Sequence, residues 1–131
     1  MSDTRYYFDN LNGEEFESYL HQLFERLGYE VELTPVTGDY GADLLVHKDG
    51  ETTVIQAKRY NDKVGTHAIQ EVIGAIHYYK ADSGMVVTNN YFTGNAIQLA
   101  ESAGVTLWNM DMLISMSINS LANNTYYEIQ Y

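Results

Sequence analysis

The sequence predicts a mixed α/β domain, and three observations carry that expectation. Apolar residues recur at helical spacing in some segments and at every second position in others. Asp49-Gly50 separates two strand-like runs, "ADLLVHK" and "ETTVIQAKRY". That is a two-residue hairpin signal, because Asp-Gly readily takes the paired positive φ angles of a type I′ turn. No linker or repeat interrupts the 131 residues, which suit one domain, 1–131, with a core over about 12–115 and a C-terminal extension over 116–131.

Residues 12–28 form the first predicted helix. Asn12 can cap it, with Glu15 as the capping-box partner. Phe16, Leu20, Leu23, Phe24 and Leu27 make its apolar face, and Gly28 stops it. Residues 29–35 alternate like a half-buried strand, with Tyr29, Val31 and Leu33 on one side. "TGDYG" is a turn, and the hairpin follows it. The second helix covers 66–81, with Ile69, Val72, Ile73, Ile76 and Tyr79 as its buried stripe. "SGMVVTNN" is a short buried strand. "TGNAIQLAESAG" is a third helix, with Thr93 as N-cap and Ile97, Leu99, Ala100 and Ala103 inward. "VTLWN" is a short strand that brings Trp108 to the core, and "MDMLISMSINSL" is a last helix. The tail "ANNTYYEIQY" alternates aromatic residues without a clear partner.

Composition narrows the function. The net charge is −11, with seven basic and eighteen acidic residues. Phosphate backbones favour basic surfaces, so a simple nucleic-acid binder is disfavoured. A polyanionic partner needs a local basic patch, a bound metal, or another domain or subunit. There is no cysteine, which excludes disulfides and thiolate metal sites. No apolar run approaches the roughly 18 residues of a membrane span. The start, "MSDTRYYFDN", lacks a signal-peptide pattern, so a cytoplasmic protein without membrane contact is expected.

The hairpin holds the candidate chemistry. A tight turn at Asp49-Gly50 puts Asp43 across from Gln56, Leu45 across from Val54 and Gly41 across from Lys58. Alternation then gathers Asp43, Gln56 and Lys58 on one face, and Leu44, Val46, Ile55 and Ala57 on the other. An acid and an amide oxygen are hard ligands suited to Mg²⁺. Such an ion polarises a phosphoryl oxygen and acidifies an attacking water. A lysine beside it can orient that water or stabilise the growing negative charge. Glutamine is a neutral ligand, so a further carboxylate helps, and Glu17 on the first helix is a candidate. The same letters also fit a turn acid and a solvated strand face, and spacing alone does not separate the two.

The ordered motifs resemble the Mrr-like branch of the restriction-endonuclease-like, PD-(D/E)xK superfamily. They are Phe16-Glu17, "GYEV" at 28–31, "GDYGAD" at 38–43, "QAKRY" at 56–60, "VG" at 64–65, "IQEV" at 69–72 and "GMVVTNNYFTGNAIQLAESAGVTLW" at 84–108. The resemblance covers roughly residues 12–115 and implies a central mixed β-sheet flanked by helices. It implies Asp43 as the metal-binding acid, Gln56 where most of the superfamily has Asp or Glu, Lys58 as the catalytic lysine and Glu17 as the helix-one glutamate. The Ala57 carbonyl becomes a further metal ligand, and Gln70 lies near the active site.

The same resemblance implies a DNA endonuclease using Mg²⁺, with Mn²⁺ as a substitute, that leaves a 5′-phosphate and a 3′-hydroxyl. It also implies a homodimer and a separate DNA-recognition domain or subunit. Arg59, Tyr60 and Lys63 are candidate backbone contacts; Tyr60 could equally face inward and Arg59 pair with a surface acid. Asp39 either assists the site or closes its turn. His67 and His77 do not share a clean helix face and read as solvated. Thr88 and Asn89 end a strand and either touch substrate or cap the next segment. Met110, Met112, Leu113, Ile114 and Met116 either form a dimer contact or close the core. Two rival functions stand beside the endonuclease. One is a non-catalytic nucleic-acid or protein interaction module on the same fold, favoured by the acidity and by Tyr126, Tyr127 and Tyr131. The other is a nuclease for junctions or RNA.

Overall fold

The computed structural model describes residues 7–34 and 41–130, with side chains through residue 122. Its framework is a five-stranded sheet in the order β1-β2-β3-β4-β5. The strands are β1 (Glu30–Leu33), β2 (Leu44–Lys48), β3 (Glu51–Lys58), β4 (Ser83–Thr88) and β5 (Thr106–Trp108). β1, β2 and β3 pair antiparallel, whereas β3, β4 and β5 run parallel. The helices are α1 (Gly13–Arg26), α2 (Thr66–Tyr79), α3 (Gly94–Ala103) and α4 (Met110–Gln130). α2 and α3 serve as the crossovers that parallel neighbours require. This is the expected mixed sheet flanked by helices.

The sheet has a core on each face. On one, Leu45, Val54 and Val86 pack with Ile69 and Val72 of α2 and with Ala96 and Ala100 of α3. On the other, Leu44, Val46, Ile55 and Val87 meet Phe16, Leu20, Leu23 and Phe24 of α1 and Met110 and Leu113 of α4. Each buried Val, Leu, Ile, Met or Phe side chain contributes about 1.5–3 kcal/mol. Trp108 stacks on Phe24, ring centroids 5.2 Å apart. Successive residues of β3 therefore serve opposite layers, and Gln56 and Lys58 share the phase of Val54, under α2.

Local signals act as read. Asn12 Oδ1 accepts from the Glu15 N–H and Glu15 Oε1 from the Asn12 N–H, both at 2.8 Å, which completes the capping box. Thr93 caps α3 through the Ala96 N–H at 3.1 Å. Asp49 and Gly50 both have positive φ, and Leu45 pairs with Val54.

Other expectations need correction. In α3 it is Ala96 and Ala100 that face the sheet, while Ile97 and Ala103 are exposed. The small alanines let the helix approach closely, and Ile97 is left at the rim of a groove with Tyr91, Phe92, Leu107 and Asn109. Leu33, at the end of the edge strand β1, is exposed. α4 runs on to Gln130 rather than ending near Leu121, since no Gly or Pro in that stretch stops it. Among its crowded apolar residues, Met110 and Leu113 close the core and Met112 is exposed. Among the described residues, no helix is long and apolar enough to cross a membrane.

Candidate active site

The site forms at the C-terminal end of β3, where the hairpin partner β2 has not yet begun. The regular ladder reaches only Leu44–Ile55. Beyond it, the Asp43 N–H donates to the Ile55 carbonyl at 2.8 Å. The Asp43 carboxylate then accepts from the Ala57 N–H at 2.7 Å. The extrapolated pairs Asp43–Gln56 and Gly41–Lys58 thus lie outside the ladder. A side-chain oxygen has taken over the partner that a strand N–H needs.

Gln56 is only 4% exposed and pairs with Val86 in the parallel ladder. Its neighbours assign the amide orientation. The nitrogen donates to the Gly41 carbonyl, and the oxygen accepts from Lys58 Nζ at 3.0 Å. Lys58 Nζ also lies 3.1 Å from Glu71 Oε1 of α2, with side-chain exposures of 16% and 30%. That pair is an ion pair by distance whose hydrogen-bond alignment is poor, because the buried Oε1 has no well-directed donor. Burial alone lowers the Lys58 pKa. Glu71, Tyr60 and Asp43 together outweigh it, and the net pKa is raised. Lys58 Nζ also stands 5.7 Å from the Tyr60 ring centroid.

Gly41 makes this close packing possible. Its φ is +82°, and a Cβ there would collide with the Glu71 carbonyl oxygen. The segment leading into Asp43 therefore rests directly on the α2 backbone.

A polar clamp fixes the chain after Lys58. Thr88 Oγ1 donates to the Lys58 carbonyl at 2.6 Å. Asn89 Oδ1 accepts from the Tyr60 N–H at 2.7 Å, and its Nδ2 donates to Asp9 Oδ1 at 3.1 Å. Thr88 and Asn89 are buried, so they hold the strand end. Arg59 donates to the Asp9 carbonyl and to Asn61 Oδ1 rather than to a surface carboxylate.

The fold thus brings Asp43, Gln56, Ala57 and Lys58 together. Glu17 is half-buried on α1, which packs on the face of Ile55 and Ala57 rather than under α2. Gln70, Lys63 and Tyr60 are exposed, so Tyr60 does not face inward. Asp39 lies outside the described residues, as does most of "TGDYG". Glu71 was missed in the sequence. Its signal was phase: it sits between Ala68 and Ala75, i+3 from one and i−4 from the other, on the buried stripe of α2.

The donor chemistry fits a hard divalent cation: the Asp43 carboxylate, the Gln56 amide oxygen and the Ala57 carbonyl. The amide oxygen has two lone pairs, so Lys58 does not exhaust it. Among the described residues, no cluster of three or more His, Asp or Glu side chains could hold a metal. A set built on glutamine and a backbone carbonyl does not form such a cluster.

A mixed sheet with this strand-end site defines the class as a restriction-endonuclease-like domain. Residues 8–117 match the restriction endonuclease family Mrr_cat, and the chain belongs to that family. It is 31% identical over 114 residues to the type IV methyl-directed restriction enzyme EcoKMrr of Escherichia coli (strain K12), a match covering 80% of this chain and 38% of that protein. The chain thus spans well under half the length of that relative. Two solved structures share the fold. The DNA modification-dependent restriction endonuclease AspBHI superposes with a TM-score of 0.72 at 20% identity, over 93% of this chain and 35% of that one. The MspJI restriction endonuclease in complex with a 27-mer oligonucleotide gives 0.66 at 16%, over 95% and 32%.

Proposed function

We propose that this chain is the cleavage domain of a metal-dependent DNA endonuclease. The observation that carries the reading is the meeting of Asp43, Gln56, Ala57 and Lys58 at one strand end, with the lysine held as an ammonium. The relatives support the substrate: one is named as methyl-directed and one as DNA modification-dependent.

Asp43, Gln56 and the Ala57 carbonyl would hold a Mg²⁺ or Mn²⁺ ion; Glu17, the further acid that the family resemblance assigns, would have to reach it from α1 on the Ile55 and Ala57 face. Such an ion would supply polarisation of the scissile phosphate and a lowered pKa for the attacking water. Lys58 stays charged, orients the water and opposes the negative charge that grows on the phosphoryl oxygens. Gln56 holds Nζ at a fixed place, so little reorganisation is needed when charge develops. Arg59, Tyr60 and Lys63 line the approach for the DNA backbone, and Gln70, exposed on α2 beside Glu71, is a further candidate for substrate contact. A cytoplasmic homodimer cuts both strands, with DNA recognition supplied by another domain or subunit. That division also accommodates the net charge of −11, because the cleft needs only local complementarity.

Supercoiled plasmid incubated with Mg²⁺ or Mn²⁺ is expected to be nicked or linearised, and a chelator to prevent it. Folded protein that leaves plasmid, junction and single-stranded substrates intact would transfer the reading to an interaction module.

A further inference from the structure

We propose that Glu71 supplies the negative charge that Gln56 lacks, both positioning Lys58 and raising the affinity of the Asp43–Gln56 end of β3 for a divalent cation. The inference rests on the hydrolytic reading above and names a residue that reading does not use.

Charge is the first ground. Asp43 and Lys58 cancel, and Gln56 is neutral. Of the groups that meet at Lys58, only Glu71 leaves the set net negative before a cation arrives. A dication is drawn to a site by its surplus of anionic oxygens. The second ground is geometry. Lys58 Nζ is 3.0 Å from the Gln56 oxygen and 3.1 Å from Glu71 Oε1. Amide, ammonium and carboxylate therefore share one contact set, drawn from two elements distant in sequence. The third ground is unused acceptor capacity. Glu71 Oε1 is buried yet lacks a well-directed donor, and the exposed His67 approaches it only to 3.8 Å. Such an oxygen can still accept a hydrogen bond from a metal-bound water. The fourth ground is rigidity. Gly41 packs on the Glu71 carbonyl, so the helix position of Glu71 is tied to the segment that carries Asp43.

Glu71 is thus a positioning residue, acting through Lys58 and through its charge. A solvated helix acid that merely pairs with a lysine would leave cation affinity unchanged.

The test is calorimetric titration of the full chain with Mn²⁺, and thermal melts followed by Trp108 fluorescence verify folding. Glu71→Gln preserves shape and is expected to weaken Mn²⁺ binding by roughly ten- to a hundredfold, the usual effect of losing an outer-shell partner. Adding Gln56→Glu to that variant moves the acid to β3 and is expected to restore most of the affinity. Gln56→Glu alone is expected to bind Mn²⁺ more tightly than wild type; should Glu71→Gln fail to fold by itself, the comparison of Gln56→Glu with the double variant decides the matter, since equal Mn²⁺ affinity in the two overturns the proposal. Wild-type affinity in Glu71→Gln, or a double variant no better than the single, overturns the proposal while the hydrolytic reading stands. Wild type that binds no Mn²⁺ overturns the hydrolytic reading and this inference with it.

Discussion

The Asp43 carboxylate closes the open end of the β2–β3 hairpin by accepting the Ala57 N–H at 2.7 Å. One side chain is thereby both a structural cap and the main candidate ligand. These roles separate by substitution. Asp43→Asn keeps an acceptor oxygen for the Ala57 N–H, so unfolding free energy should fall by about 1 kcal/mol or less, while Mn²⁺ affinity falls sharply. Asp43→Ala strands the N–H and should cost about 1–3 kcal/mol. Urea melts and calorimetry check both; unchanged Mn²⁺ affinity in Asp43→Asn would remove it as a ligand.

Gly41 and Gly50 both have positive φ, +82° and +81°, but only Gly41 faces a close neighbour. Gly50→Ala should cost about 1 kcal/mol for the backbone alone. Gly41→Ala adds a collision with the Glu71 carbonyl oxygen, so its loss should be larger, and it should disturb the Lys58–Glu71 pair. Equal melting temperatures for the two variants would contradict this packing.

Lys58 gives a signed pH dependence. Burial lowers its pKa, but Glu71, Tyr60 and Asp43 raise it above 10.5 overall. A group with a raised folded pKa contributes stability that is whole below its unfolded value and fades as pH rises through the folded one. The stability gap between wild type and Lys58→Met should therefore hold from neutrality to about 10.5 and shrink only beyond it. A gap that closes well below that point would contradict the Glu71 contact.

Thr88 Oγ1 ties the Lys58 carbonyl to β4 at 2.6 Å. Thr88→Val keeps the volume but leaves that carbonyl short of a partner, at a cost of roughly 1–2 kcal/mol. Because it loosens the backbone that aims Lys58, the cleavage rate should fall more than substrate binding. A KM change with an unchanged kcat would argue against the clamp.

Much of this was readable in the letters. Asp49-Gly50 set the register because a two-residue turn leaves no slack, and Asn12, Glu15 and Thr93 capped their helices because helix starts need acceptors close in sequence. Where the reading failed, the deciding forces were tertiary. The Asp43 departure from the ladder depends on a side chain competing for a backbone N–H. The inward turn of Ala96 rather than Ile97 depends on how closely α3 approaches the sheet. Glu71 was hidden because an acid beside Val72 reads as solvated until Lys58, thirteen residues earlier in the chain, comes under the same helix. The continuation of α4 past Leu121 lacked any apolar stripe to announce it.

The central claim is that the end of β3 is a hydrolytic centre in which Lys58 acts on the scissile phosphate. The most direct measurement compares wild type with Lys58→Ala on supercoiled plasmid, with Mg²⁺ or Mn²⁺, at low and high salt. Wild type should nick or linearise the DNA only with metal, and Lys58→Ala should be slower by at least about a hundredfold while remaining folded. A folded Lys58→Ala that cuts as fast as wild type would contradict the account.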